Sequence, residues 1–104
     1  MDFARYENLR TLVRTNFSEQ TQRLVDDALE YAEEKLGGLV RYDGSPLIGH
    51  GVAVAEIVIS EVGLGRNSTL SSILHDVVRI AHKQLPAEEF LALTADIQNR
   101  FGEQ

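Results

Sequence analysis

The sequence predicts an all-α domain of about five helices. Apolar residues recur every three or four positions along most of the chain, the spacing that places them on one face of a helix. Alternating apolar and polar runs joined by hairpin turns are not found, so sheets are not expected. With 104 residues, 43% of them hydrophobic and 25% charged, the chain suits one domain with a single hydrophobic core.

The first two helices are predicted from their apolar stripes and their boundaries. The first is expected from about Asp2 to Thr15, and its stripe consists of Phe3, Tyr6, Leu9, Leu12 and Val13. The second is expected to begin after Ser18, because serine is a preferred N-cap residue. Gly37 and Gly38 should end it, since glycine readily adopts the backbone conformation that closes a helix.

A loop and a strongly apolar segment are predicted next. The loop spans Leu39 to Gly49, with a turn at Asp43-Gly44 and a helix breaker at Pro46. The segment from Val52 to Val62 is apolar nearly all round, which predicts a central buried element. Its β-branched residues also suit a strand, but its length favours a helix that ends at Gly63.

The last two helices are separated by a proline. The fourth helix is expected to begin near Asn67 or Ser68 and to end before Pro86. Its apolar stripe has near-ideal helical spacing and consists of Leu70, Ile73, Leu74, Val77, Val78 and Ala81. Pro86 should be the first residue of the fifth helix, which runs to Gly102, because proline is well tolerated at that position.

Charge and composition exclude several classes of function. The net charge of −6 makes binding to nucleic-acid backbones unfavourable. The chain has no cysteine, which excludes disulfides and thiolate metal sites. No run reaches the roughly 18 apolar residues that a membrane span needs, and the first residues do not resemble a secretion signal. We therefore expect a cytoplasmic protein with no membrane partner.

Three residues have the chemistry of metal ligands. His75 and Asp76 are neighbours on the fourth helix, each about 130° from the centre of the apolar stripe and on opposite sides of it. Both are therefore predicted to point away from the core and to flank one site. His50 precedes the third helix and would join them if the two helices pack side by side. Two imidazoles and a carboxylate suit a divalent transition metal, although such groups are more often hydrogen-bonded pairs.

Three motifs carry a resemblance to a known family. The stretch Arg-Tyr-Asp-Gly-Ser-Pro-Leu-Ile-Gly-His at residues 41–50, followed by Val-Ala-Val-Ala, resembles the opening motif of the RelA/SpoT hydrolase domain. Leu-His-Asp-Val-Val at residues 74–78 is similar to the Leu-Leu-His-Asp-Val-Val of that family, and Phe-Gly-Glu at residues 101–103 is similar to the end of the corresponding family helix. The resemblance covers nearly the whole chain in the family's order.

The resemblance implies an HD-type helical bundle that binds Mn²⁺ and removes pyrophosphate from the 3′ position of guanosine tetra- or pentaphosphate. His50, His75 and Asp76 match three metal ligands, and Arg41 matches the arginine that packs against the guanine base. Residues 1–104 would then be a partial N-terminal hydrolase domain, incomplete relative to the family. The family's fourth metal ligand, an aspartate, lies downstream of the Phe-Gly-Glu motif and has no counterpart here.

The sequence departs from the family where the chemistry depends on it. Active hydrolases carry Glu-Asp at positions occupied here by Arg79 and Ile80, and neither replacement can accept a proton or hold an attacking water. Arg79 lies between His75 and Asp76 on a helical wheel, where it would oppose a divalent cation and pair with Asp76. We therefore predict no catalytic residues, and weak Mn²⁺ binding or none.

By this resemblance the parent protein is a GTP pyrophosphokinase, whose synthetase domain the degenerate hydrolase domain contacts and regulates. Guanine nucleotide binding is expected to be weak. Two alternatives remain open: an active Mn²⁺-dependent hydrolase in the full-length protein, or a purely helical interaction module. Apolar helix faces left uncovered in a partial domain also predict self-association into a homo-oligomer.

Overall fold

The computed structural model describes residues 6–62 and 65–102, and this part of the chain is all-α as predicted. Its five α-helices are α1 (Glu7–Asn16), α2 (Glu19–Leu36), α3 (Leu47–Ile57), α4 (Arg66–Gln84) and α5 (Ala87–Phe101). One turn of π-helix, Val58–Val62, continues α3. Within these residues no strand is formed, and none of the helices is long and apolar enough to cross a membrane.

The hydrophobic core is centred on α4. This helix packs against α3, α2 and α5, while α1 packs against α2 and α3. The most deeply buried large apolar side chains come from α1, α2 and α4, and they are Leu9, Leu29, Leu70, Ile73, Leu74 and Val25. Burying one such aliphatic side chain stabilises the fold by about 1.5–3 kcal/mol, so the predicted apolar stripe of α4 holds the bundle together.

Most predicted helix boundaries are confirmed to within a residue. Ser18 caps α2, because its Oγ accepts a hydrogen bond from the backbone N–H of Thr21 at 3.3 Å. Gly37 ends α2 with φ 50° and Gly102 ends α5 with φ 80°, both in the left-handed region that glycine adopts without strain. Pro86 is the N-cap of α5 rather than its first residue. The predicted start of the first helix, Asp2 to Arg5, lies outside the described residues.

The start of α3 differs most from the prediction. The helix begins at Leu47 rather than Val52, so the predicted loop to Gly49 is wrong at its end. Pro46 occupies the N-cap position, where its missing N–H costs no hydrogen bond. Leu47 and Ile48 are buried, and their packing against the core draws the end of the loop into the first turn of the helix.

This segment was predicted to be the central buried element, but only one of its faces is buried. One face of α3 and of the π-helical turn is buried through Val52, Ala55 and Ile59, but Val54 and Ile57 are 37% and 49% exposed. The described elements that pack most closely on α3 are α4, α1 and α2, and they leave Val54 and Ile57 partly uncovered. Gly63, the predicted end of the segment, lies outside the described residues.

Candidate functional site

The candidate site is created where α3 crosses α4. A Cβ atom added at Gly51 would lie 2.7 Å from the backbone oxygen of Ser72 and 3.3 Å from that of Ile73, so the two backbones are nearly in contact. Only glycine allows this approach without displacement of a helix. The preceding residue, His50, is thereby brought against α4 one turn beyond the contact point, beside Asp76.

Asp76 is the centre of the site. It is only 4% exposed, and both of its carboxylate oxygens are engaged. Oδ1 accepts a hydrogen bond from Nε of Arg79 at 3.0 Å, and Oδ2 lies 3.3 Å from Nδ1 of His50. A carboxylate accepts hydrogen bonds without donating them, so in this contact His50 donates from Nδ1.

The predicted pair between Arg79 and Asp76 is therefore present, and so is the expected approach of His50. The helical-wheel prediction that His75 and Asp76 both point away from the core holds for one of the two. His75 is exposed, as expected, but Asp76 is buried because α3 covers that side of α4. A wheel measures angles from one helix's own stripe and contains no information about a second helix packed on the flank.

A short hairpin-like loop, residues 39–47, positions Arg41. The N–H of Leu47 donates to the backbone oxygen of Leu39 at 2.9 Å, and the N–H of Arg41 donates to that of Ser45 at 2.8 Å. The tip is a tight turn in which the N–H of Gly44 donates to the oxygen of Arg41, with φ of Gly44 at 86°. The predicted turn at Asp43-Gly44 is confirmed.

The loop and the two helices border an open cavity of about 510 Å³, which we call the α3–α4 cavity. It brings together every site residue predicted from the sequence. Its lining residues are Leu39, Val40, Arg41, Tyr42, Leu47, His50, His75, Asp76, Arg79 and Ile80. Asp76 is the one acid in this set, and it stands against two arginines and two histidines.

The arrangement does not suit a divalent cation as it stands. Both Asp76 oxygens already bind cationic or polar donors, and the Arg79 guanidinium lies beside the carboxylate where a cation would have to sit. Among residues 6–62 and 65–102, no three histidine, cysteine or acidic side chains are grouped so that they could hold a metal ion. Ile80 lines the cavity with an apolar group that cannot hold or deprotonate a water molecule.

Sequence reasoning did not identify a second, larger cavity between α2 and α5. It measures about 900 Å³ and is lined by Asp27, Glu30, Tyr31, Glu33, Glu34, Arg100 and Phe101. The acids recur at helical spacing along one side of α2, a signal that is also typical of an ordinary solvated helix face. Tyr31 packs edge-on against Phe101 with ring centroids 5.7 Å apart. The guanidinium carbon of Arg100 lies 5.2 Å from the ring centroid of Tyr31.

Tyr31 leads to a prediction about stability and pH. It is 3% exposed, and within the described residues its hydroxyl makes no hydrogen bond of standard geometry, although the Asp96 carboxylate lies near enough to act on it. Replacing Tyr31 with phenylalanine is expected to raise the free energy of unfolding by up to about 1 kcal/mol at pH 7, because it removes a buried hydroxyl that has no well-formed hydrogen bond. Urea denaturation measures this change. Tyr42→Phe is the control, since Tyr42 is 95% exposed and its hydroxyl is solvated in both states.

Burial raises the pKa of Tyr31 to about 12, and the negative charge of Asp96 acts in the same direction. Because this folded-state pKa lies above the ordinary value near 10, folding favours the neutral phenol. The resulting stability is complete below pH 10 and is lost as the pH rises to 12. Spectrophotometric titration should therefore show a late-ionising component whose amplitude falls by one tyrosine in Tyr31→Phe. Loss of the late phase in Tyr42→Phe instead would contradict the assignment.

Compared with protein-family models, with curated proteins and with solved structures, the chain finds no match to any of them. Its interpretation therefore depends on the residues of the α3–α4 cavity and on their chemistry.

Proposed function

We propose that this chain is a degenerate hydrolase domain of a RelA/SpoT-like protein, with an HD-type helical fold and without hydrolase activity. Its role is structural and regulatory, beside the synthetase domain of a parent GTP pyrophosphokinase that makes guanosine tetra- or pentaphosphate in the cytoplasm. The observation that carries the proposal is the Arg79–Asp76 pair, in which a guanidinium binds the buried carboxylate that would match a metal ligand of the family.

The arrangement of the motif residues supports the family assignment. Arg41 and His50 come from the first motif, and His75 and Asp76 come from the second. Asp76 lies 26 residues beyond His50 in the sequence. All four line the same cavity. Motifs that matched the family by chance would have no physical reason to meet at one place in the fold.

The chemistry of the cavity argues against hydrolysis. Attack of water on a phosphorus atom needs a group that holds the water and accepts its proton, and general acid–base help of this kind contributes typically 10²–10⁴-fold in rate. Asp76 is paired with the Arg79 guanidinium and also contacts Nδ1 of His50, and the lining of the α3–α4 cavity contains no other carboxylate. The two positions that hold acids in active family members are an arginine and an isoleucine here.

A regulatory role is supported by the exposed apolar side chains. Val54 and Ile57 project from α3, and Leu91, which is 65% exposed, projects from α5. Such side chains suit contact with another domain, since covering apolar surface stabilises an interface by about 25 cal/mol per Å² removed from water.

The test is an assay of guanosine tetraphosphate hydrolysis with excess Mn²⁺, in which the release of pyrophosphate is measured. We expect no release above the rate without protein, with an active family hydrolase as the positive control. Mn²⁺ should also leave the thermal unfolding of this chain unchanged, whereas a ligand at a hundred times its Kd adds about 2.7 kcal/mol. Release of pyrophosphate that disappears in His75→Ala would overturn the proposal.

A gain-of-binding variant is the matched comparison. Arg79→Glu combined with Ile80→Asp restores the acids of the family pattern and frees Asp76 from its ion pair. We expect Mn²⁺ to stabilise this double variant and not the parent chain, because two added carboxylates supply oxygen ligands that suit the cation.

A further inference from the structure

The fifth helix is held by much less buried surface than the helices beside it. Of the 15 residues of α5 only Ile97 and Phe101 are buried, whereas α2 and α4 each bury seven residues. Leu93 is half-buried against the core, and Leu91 is exposed. Elements with few buried apolar side chains open at a lower free energy than the rest of a protein. We propose that α5 is a releasable strap, which detaches from the bundle while α1 to α4 stay folded.

The polar side chains of α5 bond mainly to one another. Arg100 pairs with Asp96, one turn earlier in the same helix. Oγ1 of Thr94 donates to the backbone oxygen of Leu91, also within α5. Towards α2, Asp96 approaches the Tyr31 hydroxyl without forming a hydrogen bond of standard geometry. Release of α5 therefore breaks no ion pair between helices in the part of the chain that the structure describes.

The junction between α4 and α5 allows such a movement. α4 ends where the N–H of Leu85 donates to the backbone oxygen of Ala81 at 2.9 Å, and the next residue is Pro86. Both Leu85 and Pro86 have extended backbones, with ψ of 146° and 154°. Because proline has no N–H, the hydrogen bonds of α4 do not continue into α5, which also begins without a side-chain cap. Rotation at these two residues can move α5 away without breaking a hydrogen bond of α4.

Aromatic contacts lie at both ends of the strap. Near the junction, the rings of Phe90 and of His82 on α4 meet edge-on with centroids 5.2 Å apart. At the far end, Phe101 packs edge-on against Tyr31 of α2 at 5.7 Å. An open cavity of about 900 Å³ lies between α2 and α5 beside this contact. Phe101 is therefore the latch, the side chain whose removal should release α5 most readily.

Release has consequences that can be measured. An isolated helix of 15 residues is marginally stable in water, so α5 should unwind once it leaves the bundle. Its amide protons then exchange with solvent and its buried side chains become accessible, while α4 stays protected. A neighbouring domain that binds the open form would shift the population towards it, by as much as its affinity differs between the two forms.

The first experiment uses thiol labelling, since the chain has no cysteine of its own. Ile97→Cys places a thiol under α5, and the matched control Val25→Cys places one in α2, at positions 4% and 0% exposed. After correction for the labelling rates of the unfolded chains, Ile97→Cys should react about a hundredfold or more faster. Adding Phe101→Ala should speed this reaction by about tenfold or more. Adding Leu91→Ala, at a side chain 65% exposed, should change it by less than about twofold.

Amide hydrogen exchange of the unsubstituted chain tests the same inference if a variant fails to fold. Relative to intrinsic rates, the amides of residues 91–101 should exchange about a hundredfold or more faster than those of residues 73–81, with a weaker dependence on urea. The inference is overturned if the two helices share one free energy of exchange and one urea dependence, or if fast exchange is confined to the last turn of α5. Equal corrected labelling of Ile97→Cys and Val25→Cys overturns it as well. None of these outcomes depends on whether the domain hydrolyses guanosine tetraphosphate.

Discussion

Replacing Gly51 with alanine is expected to lower the free energy of unfolding by about 3 kcal/mol. The added methyl group would lie 2.7 Å from the backbone oxygen of Ser72 and 3.3 Å from that of Ile73. Both contacts are with the backbone of a long central helix, which cannot rotate away as a side chain can. α3 must therefore move off α4, and overpacking of this kind costs typically about 1–3 kcal/mol or more. Urea denaturation measures the change, with the same dependence of the free energy of unfolding on urea concentration used for both proteins.

Gly49→Ala is the matched control, since Gly49 lies two residues earlier in the same helix and a Cβ there meets nothing within 4 Å. Alanine is favoured over glycine in a helix by up to about 1 kcal/mol, so this variant should be at least as stable as the parent. If both substitutions change stability in the same direction, the close crossing of α3 and α4 is wrong, and with it the position of His50 beside Asp76.

Breaking the Arg79–Asp76 pair is expected to have the second largest effect. Arg79→Met leaves a buried carboxylate with His50 as its one remaining partner, and should lower the free energy of unfolding by about 2 kcal/mol. Asp76→Asn should cost about 1 kcal/mol, because the amide keeps part of the hydrogen bonding. The double variant should lose less than the sum of the two, by about 1–2 kcal/mol, because once the charge is gone the arginine has nothing to neutralise.

The comparison pair is Arg100 and Asp96 on α5, which lie one turn apart at 3.2 Å with both side chains about half exposed. Solvent screens this pair, so its coupling should stay near 0.3 kcal/mol. If the Arg79–Asp76 and Arg100–Asp96 pairs show equal coupling energies, the Asp76 carboxylate is hydrated. The proposal that Arg79 occupies the position of a metal ion beside Asp76 would then lose its basis.

The helices themselves were predictable because their signals are local. The stripe of α4, the cap at Ser18 and the stop at Gly37 each act within one or two turns of chain, and each lies where the sequence indicated. The Arg79–Asp76 pair belongs to the same class. Residues three apart on a helix are neighbours whatever else the chain does, so this contact follows once α4 is a helix.

The start of α3 could not be predicted in this way. Loop signals at Pro46 and Gly49 competed with the burial of Leu47 and Ile48, and the burial depends on a core that the local sequence does not contain. The same limitation explains why α3, which is apolar nearly all round, was expected to be the central buried element. The sequence shows that its residues are apolar, but which of them are buried depends on the helices that pack against it.

The sequence by itself determined the helical class, the chemistry of the cavity residues and the cation that neutralises Asp76, because these depend on residue type and on contacts within one helix. Only the tertiary structure decided that Asp76 is buried, that His50 reaches it from 26 residues away, and that Arg41 faces the same cavity. These features depend on the distance between α3 and α4. That distance is set by the absence of a side chain at Gly51, whose role becomes apparent only when the opposite backbone is in place.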